Sequence, residues 1–221
     1  MKDQTIYIDI HTHHCIENDV IHILNLSPNN TTIPNDIFFS IGLHPWFINE
    51  KNINSELEYL RKNISNKNML AIGECGLDKS IDIPMQIQES IFIEQLKIAE
   101  QNKKPIIIHC VKAFNEVIRI KNELKLSVPF IIHGFNNNKQ ILEQLLKNGF
   151  YISFGKALLK GNSNASKFIS MVPLEKIFLE TDDADISIKI IFEAAAKQLQ
   201  IDTEKLKEQI YTNFNNVFIH E

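Results

Sequence analysis

The sequence is poor in cysteine, carries no excess of basic residues and contains no long apolar segment. Its three cysteines, Cys15, Cys75 and Cys110, include no C-x-x-C pair, so they predict no disulfide framework and fit a reducing cytoplasm. The formal net charge of −4 over 221 residues argues against broad, charge-driven binding of nucleic acid. No apolar run approaches the roughly 20 residues that a membrane-spanning helix needs, so we expect no membrane partner.

The sequence also predicts no secretory signal. The N-terminal segment lacks a charged-then-apolar pattern, because Asp3, Asp9 and several histidines interrupt it. With 44% hydrophobic residues, the chain can bury a sizeable core. We therefore expect one cytoplasmic domain over residues 1–221, acting as a monomer with no obligate protein partner.

Apolar, β-branched segments alternate with amphipathic segments along most of the chain. The apolar segments are typical of parallel strands buried on both faces, and they span 6–10, 20–26, 37–42, 69–73, 105–109, 129–133, 150–153 and 176–180. The amphipathic segments predict helices, near 53–67, 84–102, 112–126, 138–148, 186–199 and 203–214, the last capped by Asp202.

Eight strands that alternate with helices predict an α/β fold of the (β/α)8 TIM-barrel type. The first two βα connections are too short for a full crossover helix, so we expect both to be abbreviated. A doubly wound open sheet is the second choice, because the Gly-rich phosphate loop that would favour it does not occur.

Histidines and carboxylates gather where the predicted strands end. Asp9, His11 and His13 alternate along the first strand and so share one face, and five later strands are followed by His44, Glu74, His109, His133 and Asp182. Each of these residues alone is more often a hydrogen-bonded rim histidine, a loop carboxylate or a helix cap. Together, four of these imidazoles and two of these carboxylates at the C-terminal mouth of a barrel suit two divalent cations, Mg²⁺, Mn²⁺ or Zn²⁺.

Several motifs occur in a fixed order along the chain. They are D-x-H-x-H at Asp9, His11 and His13, G-x-H-P from Gly42 to Pro45, G-E-x-G-L-D from Gly73 to Asp78, the strand-end His109, H-x-F at His133 and Phe135, and E-T-D from Glu180 to Asp182. In this order they resemble the TatD family of metal-dependent hydrolases, within the wider group of amidohydrolase-like barrels. The resemblance runs from residue 9 to a closing helix near residue 218, which is nearly the whole chain.

The resemblance implies a role for each of these residues. The implied ligands are His11, His13 and Asp182 for one ion, His109 and His133 for the second, and Glu74 as the bridge between the two. A water shared by the metals would become more acidic, and Asp182 could take its proton as general base. Asp182 and Glu74 are thus the expected catalytic residues, and Asp9 is expected to orient a ligand histidine without binding metal itself.

Residues around the metal ligands bear on substrate choice. His44 either contacts substrate or holds its turn, and Lys112 either binds substrate or begins a helix in solvent. Family members commonly carry a Pro, an aromatic residue and an Arg-bearing loop soon after E-T-D. This chain has Asp183 and Asp185 there, and no arginine after Arg119, so a candidate phosphate clamp is missing.

We therefore expect a metal-dependent hydrolase of the TatD type, a deoxyribonuclease that cleaves phosphodiester bonds with a metal-bridged water. The acidic segment and the missing arginine favour an alternative, in which the same site hydrolyses a small carboxylic ester or amide or an aminoacyl ester. A third hypothesis is a non-catalytic, metal-stabilised barrel that binds a partner or nucleic acid. The large ligand set counts against it, because a purely structural zinc site needs only four closed ligands.

Overall fold

The fold is described from a computed structural model, in which residues 6–14, 17–28, 33 and 35–219 are described. Asp3 and Cys15 lie outside the described residues, so the sequence arguments that use them stay predictions. Cys75 and Cys110 are free thiols. Cys75 is fully buried, and burial raises the pKa of its thiol, so it is a packing residue.

Eight strands form one sheet in the order of the chain. They are β1 (Tyr7–Thr12), β2 (Val20–Leu26), β3 (Phe38–Ile41), β4 (Met69–Asp78), β5 (Ile106–Val111), β6 (Phe130–Ile132), β7 (Tyr151–Phe154) and β8 (Ile177–Leu179). The pairs β1–β2, β3–β4, β4–β5 and β7–β8 are parallel. The α/β class with eight sequential strands is therefore confirmed, and so are the abbreviated connections, because the described residues between β1 and β3 contain no helix.

β4 is longer than the sequence predicted. The prediction ended it at Gly73, but the strand continues to Asp78, and Gly76 pairs with His109 of β5. A Cβ atom on Gly76 would lie only 1.9 Å from the carbonyl oxygen of His109, and the φ of Gly76 is +151°. Glycine at this position thus allows two backbones to approach closely, and Glu74 lies inside a strand instead of following one.

Helices occur at all six predicted places, with ends that differ by a few residues. They are α1 (Ile53–Asn63), α2 (Met85–Gln101), α3 (Phe114–Glu123), α4 (Lys139–Lys147), α6 (Ile188–Leu199) and α7 (Thr203–Phe218). A short helix that the sequence did not predict, α5 (Asn164–Phe168), precedes α6. Asp202 caps α7 as predicted, since its Oδ1 accepts a hydrogen bond of 2.8 Å from the Glu204 amide.

The chain divides into two compact units, residues 1–24 with 132–221 and residues 25–131. We call them the terminal unit and the central unit. One domain over residues 1–221 stays a prediction. In the terminal unit, α6 and α7 pack on β1 and β8. In the central unit, α2 packs on β4.

None of the helices among the described residues, in either unit, is long and apolar enough to cross a membrane.

Two buried glutamines of α2 hold the backbone at the ends of β3 and β4. Gln95 accepts a hydrogen bond of 2.7 Å from the amide of Leu43, which precedes His44. Gln88 accepts one of 2.8 Å from the amide of Asp78. A buried amide side chain that satisfies backbone groups favours one backbone position over others, so α2 helps to position the ends of β3 and β4.

Candidate metal centre

In the central unit, one carboxylate oxygen is shared by two imidazoles. The Oε1 atom of Glu74 lies 2.9 Å from Nδ1 of His109 and 3.1 Å from Nε2 of His44. Glu74 is almost completely buried, and its backbone amide donates a hydrogen bond of 2.7 Å to Asn25. We call His44, Glu74 and His109 the Glu74 cluster. The structure thus brings His44, predicted as a substrate contact, together with two predicted metal ligands.

The second ring nitrogen of His109 faces another carboxylate. Its Nε2 atom lies 3.3 Å from Oδ2 of Asp78, and the same oxygen accepts a hydrogen bond of 2.7 Å from the indole of Trp46. Burial raises the pKa of Asp78, but hydrogen bonds from Trp46, Ser80 and His109 outweigh this effect and lower it overall. A charged Asp78 therefore orients the His109 ring, as carboxylates commonly do beside metal-binding histidines. The sequence showed Asp78 only as the last letter of a motif.

In the terminal unit, two imidazoles converge on one oxygen at a longer distance. The Nε2 atoms of His11 and His13 each lie 3.6 Å from Oδ1 of Asp182. Two atoms bound at about 2.1 Å to one tetrahedral ion lie about 3.4 Å apart, so this spacing fits ligands of a shared cation. We call these three residues the Asp182 cluster. They are the set that the resemblance assigned to one ion.

Backbone bonds hold the Asp182 cluster together. The amide of Asp182 donates to the carbonyl of His11 at 2.9 Å, and the amide of His13 donates to the carbonyl of Asp182 at 3.0 Å. Asp182 has a left-handed φ of +57°, which costs energy for a residue other than glycine. The paired hydrogen bonds stabilise this conformation and turn the carboxylate towards the end of β1.

His133 stands beside the Asp182 cluster and contacts a carboxylate of its own. Its ring centroid lies 4.7 Å from that of His11, and its Nδ1 atom lies 3.2 Å from Oε1 of Glu180. Glu180 is fully buried, and Oε1 also accepts a hydrogen bond of 2.6 Å from the amide of Gly134. Its other oxygen, Oε2, has no hydrogen-bond partner among the described residues. Glu180 orients His133 as Asp78 orients His109, a role that its place in the E-T-D motif did not reveal.

Asp9 contacts the segment that carries Asp182. Its carboxylate accepts hydrogen bonds from the amide and the hydroxyl of Thr181, at 3.1 and 2.5 Å, and lies 3.8 Å from Nδ1 of His22. Burial raises the pKa of Asp9 more than these contacts lower it, and the nearby Asp9 carboxylate helps to raise the pKa of His22 against the effect of burial. Asp9 therefore positions Thr181, the neighbour of Asp182. That it also orients a ligand histidine stays a prediction.

The remaining predicted residues are exposed. Lys112 follows β5 with a left-handed φ of +55°, so α3 begins two residues later than predicted, at Phe114. Asp183 forms a short ion pair with Lys156. The acidic segment after Asp182 is thus partly neutralised by a lysine that the sequence did not connect with it, and Lys112 as a substrate contact stays a prediction.

Both clusters have the donor chemistry of a divalent metal site. In each, one ligand atom from each of three side chains lies within 4.8 Å of the others. A site of imidazole nitrogen and carboxylate oxygen suits Zn²⁺ and Mn²⁺, whereas Mg²⁺ prefers a site with more oxygen ligands. The residues present therefore fit Zn²⁺ and Mn²⁺ best among the predicted cations. The number of ions, their identity and the bridging role of Glu74 stay predictions.

These features define an α/β protein of the (β/α)8-barrel class with imidazole–carboxylate clusters at its strand ends. Residues 10–219 match the sequence model of the family described as TatD related DNase. The chain therefore belongs to this family, and the resemblance in its motifs is confirmed.

Individual relatives agree with the family match. An uncharacterized metal-dependent hydrolase of Buchnera aphidicola is 33% identical over 69% of this chain and 58% of that protein. The uncharacterized metal-dependent hydrolase YabD of Bacillus subtilis is 31% identical over 66% of this chain and 58% of that protein. The match thus spans less than two thirds of the length of these relatives.

A solved structure shows the same fold. The TatD homologue YjjV of Escherichia coli superimposes with a TM-score of 0.83 over 97% of this chain and 98% of that chain, at 20% sequence identity. At this level of identity the likeness supports the fold alone. It agrees with the sheet order of eight sequential strands.

Proposed function

We propose that this protein is a metal-dependent hydrolase that cleaves phosphodiester bonds, with DNA as its substrate. The observation that carries the proposal is the common distance of 3.6 Å from two imidazole Nε2 atoms to one oxygen of Asp182, because this spacing suits a shared cation. The names of the relatives, metal-dependent hydrolases, and of the family, DNase, support the same reaction.

The proposed ligands are His11, His13, His133 and Asp182 in the terminal unit and Glu74 and His109 in the central unit. His44 is not among them, because its Nδ1 accepts a hydrogen bond from the Trp46 amide, which leaves the ring proton on the Nε2 that faces Glu74. Divalent cations held by these residues would supply Lewis acidity, lowering the pKa of water and polarising a phosphoryl oxygen. Asp182 is proposed to accept the proton of the attacking water, because its carboxylate is one-quarter exposed and stands between two imidazoles. Glu74 is proposed as a bridging ligand, since a carboxylate has two oxygen atoms to offer.

Carboxylates behind the histidines complete the proposed machinery. Asp78 and Glu180 hold the rings of His109 and His133, each through one ring nitrogen. The other nitrogen of each ring points away from that carboxylate and can therefore serve as the ligand atom. Positioning of this kind keeps the ligand geometry fixed during turnover.

The test is hydrolysis of single- and double-stranded DNA by the purified protein with Mg²⁺, Mn²⁺ or Zn²⁺. We expect cleavage by the parent protein and its loss in a His109→Ala/His133→Ala variant that retains the circular dichroism spectrum of the parent. A protein loaded with metal that cleaves neither form of DNA would contradict the proposed substrate. We propose that the protein acts as a monomer in the cytoplasm.

A second candidate function keeps the site and changes the substrate to a carboxylic ester or amide. The acidic residues Asp183 and Asp185 and the absence of arginine after Arg119 favour it, because both disfavour an anionic substrate. The ion pair of Lys156 with Asp183 weakens this argument. Rates on a phosphodiester chromogen and on a panel of neutral esters separate the two candidates.

A further inference from the structure

Two aromatic side chains beside the Glu74 cluster are unusually exposed. The 3-10 turn Pro45–Phe47 follows His44, with Trp46 54% and Phe47 66% exposed, the two highest values among the large hydrophobic side chains of the described residues. Exposing two adjacent aromatic rings to water is unfavourable and commonly marks a binding surface. We call Trp46 and Phe47 the aromatic pair.

The aromatic pair is held in a fixed position. The indole nitrogen of Trp46 donates its hydrogen bond of 2.7 Å to Asp78, and the Trp46 ring lies edge-on to the rings of His44 and His109, at centroid distances of 5.2 and 5.5 Å. The Phe47 ring lies 5.5 Å from that of His44. The Nδ1 atom of His44 also accepts a bond of 3.1 Å from the Trp46 amide. Rings that are fixed before binding lose little entropy when a ligand stacks on them.

The position of the aromatic pair limits what could bind there. It adjoins a cluster whose proposed ligand is a cation and whose proposed substrate group is a phosphate. In a nucleotide strand, each phosphate is flanked by flat, apolar base faces, and aromatic side chains bind such faces by stacking. Stacking also needs no positive charge, which suits a chain with a net charge of −4 and no arginine after Arg119.

We infer that the aromatic pair is a stacking platform for an unpaired nucleobase next to the phosphate that is cleaved. The inference rests on the proposed function and narrows it. Bases inside a duplex are already stacked on their neighbours, so the platform selects single strands and frayed ends. Every base has a π face, so it selects no particular base.

Trp46 is the only tryptophan of the chain, so the intrinsic fluorescence of the protein reports directly on the platform. We would titrate the metal-loaded protein with a short oligothymidylate and with an abasic deoxyribose-phosphate oligomer of equal length. The expected result is saturable quenching by oligothymidylate, with at least about tenfold weaker binding of the abasic oligomer. Equal affinity for the two oligomers would overturn the inference.

Phe47→Ala is the informative variant, because it removes one ring and keeps the reporter. We expect about tenfold weaker binding of oligothymidylate and unchanged binding of the abasic oligomer. Ile190→Ala, which alters another exposed apolar side chain, is the matched control and should bind as the parent does. In kinetics, Phe47→Ala should raise KM for p-nitrophenyl thymidine phosphate and leave KM for methyl p-nitrophenyl phosphate unchanged.

The outcomes distinguish this inference from the proposed function. Base-dependent quenching without hydrolysis of any phosphodiester would support the platform and contradict the phosphodiesterase. Hydrolysis with no preference for base-bearing ligands would support the phosphodiesterase and contradict the platform. If sedimentation shows a dimer of the parent that Phe47→Ala dissociates, the aromatic pair is an interface with a second copy, and the inference fails.

Discussion

The Glu74 cluster and the Asp182 cluster contain the same kinds of ligand, two imidazoles and one carboxylate, but at different spacings. Oε1 of Glu74 is within hydrogen-bond distance of its two histidines, at 2.9 and 3.1 Å. Oδ1 of Asp182 lies 3.6 Å from both of its histidines. The first cluster is therefore stabilised by its own hydrogen bonds, whereas the second has the spacing of ligands around a common ion.

The two clusters also differ in the support behind them. In the Glu74 cluster, His109 is held through its ring by Asp78, which is itself held by Trp46. In the Asp182 cluster, the support acts on the backbone, because Asp9 accepts hydrogen bonds from Thr181 and so positions the residue next to Asp182. The Glu74 cluster is therefore supported mainly through side-chain hydrogen bonds, whereas the Asp182 cluster is supported mainly through the backbone. The predictions below test that contrast.

The largest expected effect is that of Asp182→Asn on the reaction. This change removes the negative charge that both histidines face and the proposed general base, so we expect kcat on bis(p-nitrophenyl) phosphate to fall by about a hundred- to ten-thousandfold. Metal content, measured by mass spectrometry, should fall with it. Asp183→Asn, at the neighbouring exposed carboxylate, is the control and should keep most of the activity. A parent-like kcat in Asp182→Asn would remove this residue from the proposed mechanism.

Gly76→Ala should have the largest effect on stability. A Cβ at this position meets the His109 carbonyl at 1.9 Å, and φ is +151°, so β4 and β5 must separate or distort. We expect a loss of about 3 kcal/mol in the free energy of unfolding, measured with urea. In Gly161→Ala the new Cβ meets nothing within 4 Å, and the change should stay within about 0.5 kcal/mol. Similar values for the two variants would contradict the close approach of the strands.

Asp78→Asn should have a smaller effect. Asparagine has one side-chain oxygen, so it can accept the hydrogen bond from Trp46 or from Ser80 but not both. It also lacks the charge that orients His109, so we expect about ten- to a hundredfold weaker metal affinity or activity. The exposed Asp82, in the same β4–α2 connection, supplies the control variant Asp82→Asn. If both variants bind metal like the parent, the ring of His109 is oriented by Glu74 alone.

Lys156→Ala should have the smallest effect. Removing the lysine leaves the charge of Asp183 uncompensated, so KM for an anionic phosphodiester should rise about two- to threefold. The rise should shrink at high salt, because exposed charges are screened, and KM for a neutral ester should not change. The double variant Lys156→Ala/Asp183→Asn should restore the parent value. An equal change for neutral and anionic substrates would indicate a structural effect.

Much of the fold follows from the sequence, because strands and helices of a (β/α)8 barrel alternate with clear periodicity. The candidate ligands could be identified for the same reason, since His11, His109 and His133 all follow or end apolar strands. The continuation of β4 through Glu74 could not be predicted. It depends on how closely β4 and β5 approach at Gly76, and that distance is a tertiary property.

The contacts that support the clusters could not be predicted from the sequence either. Thr181 donates a hydrogen bond to Asp9, which is 172 positions away in the chain, and Lys156 reaches Asp183 from the 3-10 turn Lys156–Leu159. Such pairs leave no local pattern, because only the folded chain brings them together. Trp46 offered one usable signal, as the only tryptophan of the chain and the second residue after a motif histidine.

The most direct test of the central claim is to measure metal content and hydrolysis of bis(p-nitrophenyl) phosphate on the same sample, before and after chelation. We expect bound divalent metal approaching two ions per chain, activity that chelation abolishes, and recovery with Mn²⁺ or Mg²⁺. Activity that survives complete removal of metal, or a protein that binds no divalent metal at all, would contradict it.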